Sequence, residues 1–332
     1  YKNKGKYMTI KRQKLHRLCS CFGVELKSIL SIITTYSLIY SQLLFVVGFR
    51  NAVFAADIIP DGSTNTSIDK SQNGTPVINI APPSSGGVSV NKFQDYNVGE
   101  DNLIINNYKG DAVSSNIGGA IQGNPNFDCA GCKGADIILN EITSNRVSKL
   151  EGYTEILGKQ AELIIANPNG IMVNGAGFLN TSKLTMITGS SSNQTLDSNG
   201  NLNPFILSAN PNAIISVVGK NIYDENGKEI VYNLGLDTQD VDYSNLISRV
   251  VQINGNIYAN KLNIATGNDK AIRESNGEYP ILSKPIEVVI CNENDENCIP
   301  SDIPEKPEFA IDSTALGGIY ANKINFIATE DG

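Results

Sequence analysis

Few side chains in this sequence have the types and spacing that catalysis or metal binding requires. His16 is the only histidine and lies near the amino terminus. The rest of the chain therefore cannot form a Ser-His-Asp triad, a Cys-His pair or a His-ligated metal site. Acidic pairs such as Asp240 with Asp242 are typical of solvated loops, and no Walker or dinucleotide glycine pattern is present. We predict that the protein is not an enzyme and holds no metal or cofactor.

Four cysteines follow residue 56, in two pairs that are close in sequence. Cys129 lies near Cys132, and Cys291 lies near Cys298. A disulfide within each pair would close a short loop, and an export signal at the amino terminus favours disulfides over free thiols. A thioredoxin-like redox pair lacks its βαβ context, and a four-thiolate zinc site lacks a second CxxC motif. We predict two local disulfides, with the redox pair and the zinc site as alternatives.

Three Asn-Pro-Asn sequences mark sharp turns. They are Asn124-Pro125-Asn126-Phe127, Asn167-Pro168-Asn169-Gly170 and the looser Asn210-Pro211-Asn212-Ala213. Proline fixes φ, and asparagine side chains bond to neighbouring backbone groups. We expect Asn169 to need a left-handed or turn conformation, in which a β-branched residue would be strained. A new strand is predicted to start at Ile171.

The first two turns resemble those of a known family. NPNF followed by NPNGI is similar to the NPNL and NPNGI pair of the two-partner secretion domain, which opens filamentous haemagglutinins, large haemolysins and contact-dependent inhibition proteins. Phe127 stands where the family usually has leucine, and the resemblance extends from about Gly87 to Gly332. It implies that both motifs are needed for secretion. The residues concerned are Asn124, Pro125, Asn126, Phe127, Asn167, Pro168, Asn169, Gly170 and Ile171. They either contact the transporter or shape the fold, and their turn chemistry favours the second role.

Composition and charge exclude several classes of protein. Hydrophobic residues make up 41% and charged residues 18% of the 332 residues, which is typical of a globular protein. The 30 glycines and many asparagines favour a turn-rich β protein. Of the 26 basic and 34 acidic residues, nine basic residues and one acid precede residue 56, which leaves 17 and 33 and a net charge of −16. A body this acidic has no electrostatic attraction for nucleic acid or anionic lipid.

The amino-terminal segment has the three parts of a secretory signal. A basic region from Lys11 to Arg17 precedes a mostly apolar stretch from Ile29 to Val47. Small residues follow, and cleavage is predicted between Ala55 and Ala56. A transmembrane anchor is the alternative, because the apolar stretch approaches spanning length, but several serines and threonines interrupt it.

The remainder of the chain has the pattern of a β-solenoid. Short apolar runs recur at intervals of roughly twenty residues, each bounded by Gly, Asn or Asp. They include 103–105, 137–139, 163–165, 184–187, 214–218, 250–253 and 257–264. Only Val241 to Ser248 could form a helical turn or two. We predict an all-β, right-handed, single-stranded parallel β-helix, which the family resemblance also implies, with a β-sandwich as the alternative.

An internal repeat supports the solenoid. The segment that starts at Gly255 returns at Gly317, an offset of 62 residues that would equal about three coils. Residues 1–55 are predicted to be a leader, 56–85 an extended segment with one strand at Val77 to Ile80, and 86–332 the β-helix domain. Residues 77–107 are the predicted cap that protects the open end of the helix. Insertions at 193–204 and 269–304 are expected to lie outside the stack as hairpins or loops.

The family resemblance implies a function in export. The Sec machinery would recognise the signal peptide, and the periplasmic POTRA domains of an outer-membrane β-barrel transporter would recognise the domain. The chain would then fold on the surface of a Gram-negative bacterium or in the medium, ahead of a carboxy-terminal effector region. Two alternatives are a polysaccharide lyase, which needs clustered carboxylates and a basic residue, and an autonomous glycan-binding adhesin. Sparse basic residues and only 7% aromatic residues give little support to either.

Overall fold

A computed structural model describes residues 57–128, 131–191, 194–208, 210, 212–224, 226–267, 270–271, 281–282, 309–312 and 317–329. The leader and the predicted cleavage position at Ala55 and Ala56 lie outside these ranges. Within them, no helix is long and apolar enough to cross a membrane. The helical content of the described ranges is one 3-10 turn, Pro125–Phe127, so the prediction of an all-β protein is confirmed.

Strands account for most of the described residues. In chain order they are β1 (Asp57–Pro60), β2 (Ser67–Lys70), β3 (Pro76–Asn79), β4 (Val88–Asn97), β5 (Leu103–Asn107), β6 (Ala112–Ser115), β7 (Gly119–Gln122), β8 (Ile137–Ile142), β9 (Ser148–Leu150), β10 (Tyr153–Gly158), β11 (Ala161–Ala166), β12 (Ile171–Asn174), β13 (Ala176–Leu179), β14 (Thr181–Ile187), β15 (Gly189–Ser191), β16 (Phe205–Leu207), β17 (Ile215–Val218), β18 (Lys220–Tyr223), β19 (Glu229–Thr238), β20 (Tyr243–Ser248), β21 (Val251–Ile253), β22 (Asn256–Thr266), β23 (Lys270–Ala271), β24 (Ile281–Leu282), β25 (Ile311–Asp312) and β26 (Ile319–Ala328).

The strands wind into a parallel β-helix with three faces. Strands β4, β8, β11, β14 and β20 pair in parallel along the first face. Strands β9, β12, β17, β21 and β25 form the second face. Strands β5, β10, β13 and β19 form the third. The chain visits the three faces in turn and then begins the next coil, so the predicted β-helix is confirmed and the β-sandwich alternative is not adopted.

Strand β22 turns a corner between two faces, and the internal repeat stacks directly on it. Its first residues pair with β19 on the third face, and its last residues pair with β20 on the first. Strand β26 pairs with β22 in parallel register, with Ile257 opposite Ile319 and Ala265 opposite Ile327. The predicted spacing of three coils is therefore wrong. The two copies are neighbours one coil apart.

Alternate residues of the buried runs point to opposite sides of the sheet, and both sides are covered. Leu163 and Ile165 belong to the main core inside the helix. Ile164 and Ala166 belong to a second cluster, together with Phe205 of β16. A strand buried on both sides must be apolar at successive positions. The continuous apolar runs in the sequence therefore reflect outer layers that cover the helix.

The outer layers come from insertions between strands of the helix. Strands β15, β16, β23 and β24 form an antiparallel sheet, and β16 packs into the second cluster over the first face. The β6–β7 hairpin supplies Ile121 to a third cluster with Ile104 and Leu157 on the third face. A further hairpin joins β18 to β19. The predicted hairpins within 193–204 and 269–304 are confirmed where the structure describes them, at the antiparallel Leu196–Leu202 bridge and the β23–β24 pair.

The cap begins earlier in the chain than predicted. Strand β1 runs antiparallel to β4, the first strand of the first face, and β2 runs antiparallel to β3. Strand β3 pairs in parallel with β5, as the start of the third face. The strand predicted at Val77 to Ile80 is observed, but the edges are covered by residues 57–70, upstream of the predicted 77–107. The segment 56–85 thus contributes three strands where one was expected.

The helical turn predicted at Val241 to Ser248 is wrong. The backbone N–H of Val241 closes a turn on Thr238, and residues 243–248 are strand β20. This strand is paired on both sides, with β14 and with β22. Backbone pairing with two neighbours outweighs a weak local preference.

Candidate functional site

The first Asn-Pro-Asn turn caps a short 3-10 turn and ties it to earlier strands. Asn124 Oδ1 accepts a hydrogen bond from the backbone N–H of Asn126 at 2.9 Å. Asn124 Nδ2 donates to the carbonyl oxygens of Ile80 and Asn106, both at 2.9 Å. Asn126 Nδ2 donates to the carbonyl oxygen of Asn79 at 2.9 Å. The turn therefore binds backbone at the ends of β3 and β5.

Phe127 anchors this turn in the main core. Its ring is buried, and its N–H donates to the carbonyl oxygen of Asn124 at 3.1 Å. Pro125 lies at the first position of the 3-10 turn, where a missing N–H costs nothing. The family's usual leucine and this phenylalanine are both large apolar residues, so either one can fill the buried position.

The second turn joins three successive coils. Asn167 is 0% exposed, and its Nδ2 donates to the carbonyl oxygen of Arg146 at 2.9 Å and to Ser148 Oγ at 3.0 Å in the preceding coil. Its backbone N–H donates to the carbonyl oxygen of Ile187 at 2.9 Å in the following coil. Asn169 Nδ2 adds a bond to the carbonyl oxygen of Ser144 at 2.7 Å.

The two turns share one construction. In each, the first asparagine accepts a bond from the N–H two residues later, at 2.9 Å in both cases. In each, the amide groups of both asparagines donate to backbone that was laid down earlier in the chain. We call the two turns latches, defined as Asn124–Phe127 and Asn167–Gly170. A latch can close only after the coil that supplies its acceptors is in place.

Asn169 lies in a turn, one of the two conformations expected for it, and the left-handed conformation occurs one residue later. The φ angle of Asn169 is not positive, whereas that of Gly170 is 120°. A Cβ on Gly170 would lie 3.0 Å from the carbonyl oxygen of Ile214, so the position also lacks room for a side chain. Ile171 then starts β12 and is buried in the main core, as predicted.

The third turn occupies the same corner as the second latch, one coil later. Ile171, which follows the latch, pairs with Ile215, which follows the third turn. Asn210 Oδ1 accepts from the N–H of Asn212 at 3.0 Å, as in the latches. Both side chains are exposed, and neither amide donates to a described residue of another coil.

The remaining predicted sites are mostly outside the described residues. Cys132 is disulfide-bonded, but Cys129, Cys291 and Cys298 are not among the described residues, so the pairing stays a prediction. Asp240 and Asp242 are both exposed, as a solvated loop requires. Within the described ranges no group of three His, Cys, Asp or Glu side chains could hold a metal ion.

Sequence reasoning found the asparagines of the latches but missed the groups that they bind. The acceptors are mainly the carbonyl oxygens of Asn79, Ile80, Asn106, Ser144 and Arg146. Every residue has such a carbonyl, so no side-chain signal could have identified these positions. The coil-to-coil register, which the sequence alone does not fix, decides which carbonyl each amide meets.

The chain is similar to known proteins in sequence and in fold. A family model described as "TPS secretion domain" matches residues 56–332. The "16S rRNA endonuclease CdiA" of Enterobacter cloacae subsp. cloacae is 35% identical over 278 residues, and "Toxin CdiA" of Yersinia pestis is 34% identical over 296 residues. These alignments cover 84% and 88% of this chain but 7% and 8% of those proteins. The crystal structure of a filamentous hemagglutinin secretion domain matches with a TM-score of 0.61 and 28% identity, over 83% of this chain and 80% of that one.

Proposed function

The chain belongs to the TPS secretion domain family, and from this premise we propose that it is the export module of a much longer exoprotein. Exoproteins of this family are exported to the cell surface or secreted, and the domain implies a cognate outer-membrane transporter. The domain itself serves targeting rather than catalysis. The comparisons favour this function over the lyase and the autonomous adhesin, because the relatives share the secretion domain and its fold.

The observation that carries the proposal is the open end of the helix at β26. Ile324 and Phe326 pair with Leu262 and Ile264, which are buried in the main core. Ile324 is nevertheless 40% exposed and Phe326 52% exposed. These are core positions without a covering coil in the described structure. A further coil stacked on β26 would bury these side chains, so this end of the helix is suited to the sequential addition of coils.

A column of asparagines fixes the register for that addition. Asn245 Nδ2 donates to Thr185 Oγ1 at 3.1 Å, Asn263 Nδ2 donates to Asn245 Oδ1 at 3.2 Å, and Asn325 Nδ2 donates to Asn263 Oδ1 at 2.9 Å. Each amide thus bonds to the coil before it. A one-residue slip would break every bond in the column and turn apolar residues outward.

The export route is the finer part of the proposal. The predicted signal peptide, cleaved between Ala55 and Ala56, would enter the Sec pathway. POTRA domains of the transporter would then receive the unfolded chain in the periplasm of a Gram-negative bacterium. Folding outside the cell would draw the chain outward, because each docked coil adds buried area and prevents backsliding.

The latches would serve export through folding rather than through direct contact. Asn124, Phe127, Asn167 and Gly170 are buried, Asn126, Pro168 and Asn169 are half-buried, and Pro125 is exposed. In the folded domain the asparagine amides are already bonded to backbone, so a direct contact with the transporter would have to precede folding. Their bonds to earlier coils support a role in sequential closure instead. For the parent protein we propose a contact-dependent inhibition protein, in line with the CdiA relatives, or an adhesin, in line with the filamentous hemagglutinin domain. Its effector region would lie carboxy-terminal to this domain.

Export from cells that produce the chain with or without its transporter tests the proposal. We expect the protein in the medium or on the cell surface only when the transporter is present. Deletion of the signal peptide should leave the protein in the cytoplasm. This variant therefore distinguishes transport across the inner membrane from transport across the outer membrane. Equal export without the transporter would contradict the proposed function.

A further inference from the structure

A groove of about 570 Å³ lies between the third face and the β18–β19 hairpin. Tyr153, Asp237 and Tyr258 line its floor, and Ile222 and Tyr232 line the wall formed by the hairpin. Neither latch contributes to it, so it is separate from that candidate site. The groove belongs to the folded domain.

The floor of the groove crosses several coils. It extends from Asn102, beside β5, across β10, β13 and β19 to Tyr258 in β22. Four steps between adjacent strands of about 4.8 Å give a length of about 19 Å. This length suits a short linear oligomer better than a single small molecule.

Two glycines make room for side chains that line the groove. A Cβ on Gly177 would overlap the ring of Tyr153, so the ring lies over the backbone of the next coil. A Cβ on Gly175 would overlap the side chain of Lys220, which reaches across to the carbonyl oxygen of Glu151 at 2.7 Å. Tyr153 is 39% exposed as a result and presents its ring to the groove.

Polar groups in the groove are mostly hydrogen-bond acceptors. Glu100, Glu151 and Asp237 contribute carboxylates, and Lys220 pairs with Glu100 at 3.2 Å. Burial raises the pKa of the Asp237 carboxyl, and the negative charge of nearby Asp240 raises it further. The one ammonium is therefore engaged, and the groove carries net negative charge that would repel an anionic ligand.

We propose that this groove binds a short neutral oligosaccharide. The apolar C–H face of a sugar ring packs on the negative face of an aromatic ring, and Tyr153 and Tyr232 offer two such rings. Tyr258 also lines the groove, with one face of its ring stacked on Tyr320 at 5.0 Å. Sugar hydroxyls donate to carboxylates and bond to side-chain amides, which the groove also supplies. The low aromatic content concealed this site, because the fold gathers tyrosines from distant parts of the sequence.

An extended peptide is a poorer match to the same groove. Peptides bind sheets mainly by pairing with a free strand edge. Each floor strand from β10 to β22 already pairs with a neighbour on both sides. The groove also crosses these strands, so the backbone of a peptide bound on the floor would find no ladder to extend.

Titration of the purified protein with defined oligosaccharides tests the proposal. The probes are the hexamers of cellulose, starch and chitin, with hexagalacturonate as the anionic comparison, followed by NMR and calorimetry. We expect at least one neutral hexamer to bind saturably, with a dissociation constant on the order of 1 mM, and hexagalacturonate not to bind. Tyr153→Ala and Tyr232→Ala should each weaken binding at least about tenfold.

Tyr223→Ala is the matched control. Tyr223 is 55% exposed on the same hairpin but does not line the groove, so its removal should leave the affinity unchanged. Circular dichroism would establish that each variant keeps the wild-type fold. Failure of all three neutral hexamers to bind overturns the proposal, as does unchanged affinity in folded Tyr153→Ala and Tyr232→Ala variants. Saturable binding of a basic peptide in place of the sugars would identify the groove as a peptide site and also overturn it.

Discussion

Two turns lie at the same corner of neighbouring coils and share the sequence Asn-Pro-Asn. They differ in the hydrogen bonds that their asparagine side chains make. In the second latch, Asn167 and Asn169 donate three inter-coil hydrogen bonds and the first side chain is fully buried. One coil later, Asn210 and Asn212 keep the local cap at 3.0 Å but are exposed. The motif therefore specifies a turn in both places and a coil-to-coil connection in only one.

The two turns also differ in what precedes them. The latch follows directly on β11, so the corner of one coil lies against the corner of the coil before it. The third turn follows the β15–β16 insertion, which leaves the stack and returns to it just before Asn210. The first latch follows the β6–β7 insertion and still bonds to earlier strands, so a preceding insertion does not by itself prevent such bonds.

Asn167→Ala should reduce stability more than the other substitutions compared at this corner. It removes the local cap and two inter-coil bonds at a buried position, and leaves Ser148 and the Arg146 carbonyl with fewer partners. We expect a loss of about 3 kcal/mol in the free energy of unfolding. Urea denaturation of purified protein would measure it, and secretion with the transporter should fall in parallel.

An aspartate at the same position separates the cap from the inter-coil bonds. Asn167→Asp keeps the acceptor for the Asn169 N–H but replaces the donor with a buried carboxylate facing a carbonyl oxygen. It should destabilise the domain about as much as Asn167→Ala. If Asn167→Asp were as stable as the wild type, the local cap alone would account for the contribution of Asn167 to stability. The inter-coil bonds would then not distinguish the second latch from the third turn.

Gly170→Ala should come next, with a loss of about 2 kcal/mol. The residue has φ of 120°, and a Cβ would press against Ile214 of the following coil. Gly227→Ala is the control, because that glycine has φ of 76° with no heavy atom near its Cβ position. Its cost should be only the backbone strain of about 1 kcal/mol. Equal losses would mean that crowding between coils at the latch contributes nothing.

The fold was more predictable from the sequence than the connections within it. Apolar runs such as Leu163 to Ile165 predicted strands correctly, because burial on both sides leaves a plain signal. The repeat predicted stacking but not its spacing, since an insertion has no characteristic period and residues 257 and 319 proved to be neighbours. The cap strands β1 and β2 lie in polar sequence and become strands only through pairing. Long-range register of this kind has no local signal.

Asn169→Ala should cost about 1 kcal/mol, which is the net value of the bond from its amide to the Ser144 carbonyl oxygen. Asn169→Ile should cost nearly the same, because φ at this residue is not positive and a β-branched side chain is not excluded. Thermal denaturation of the two variants side by side would measure the difference. A much larger loss for isoleucine would restore the requirement for a left-handed conformation expected from sequence.

Asn210→Ala should have the smallest effect and gives the comparison its sharpest test. The substitution removes one cap bond at 3.0 Å from an exposed side chain, and water can take over the freed N–H. We expect a loss of about 0.5 kcal/mol and secretion within experimental error of the wild type. Asn210 and Asn167 lie at the same corner of the coil, so the comparison of their alanine variants controls for position. The two sites differ in their hydrogen bonds to the neighbouring coil. If Asn210→Ala blocked secretion while remaining as stable as the wild type, the asparagine turns would matter as a surface that the transporter reads, and the latches would not act through folding.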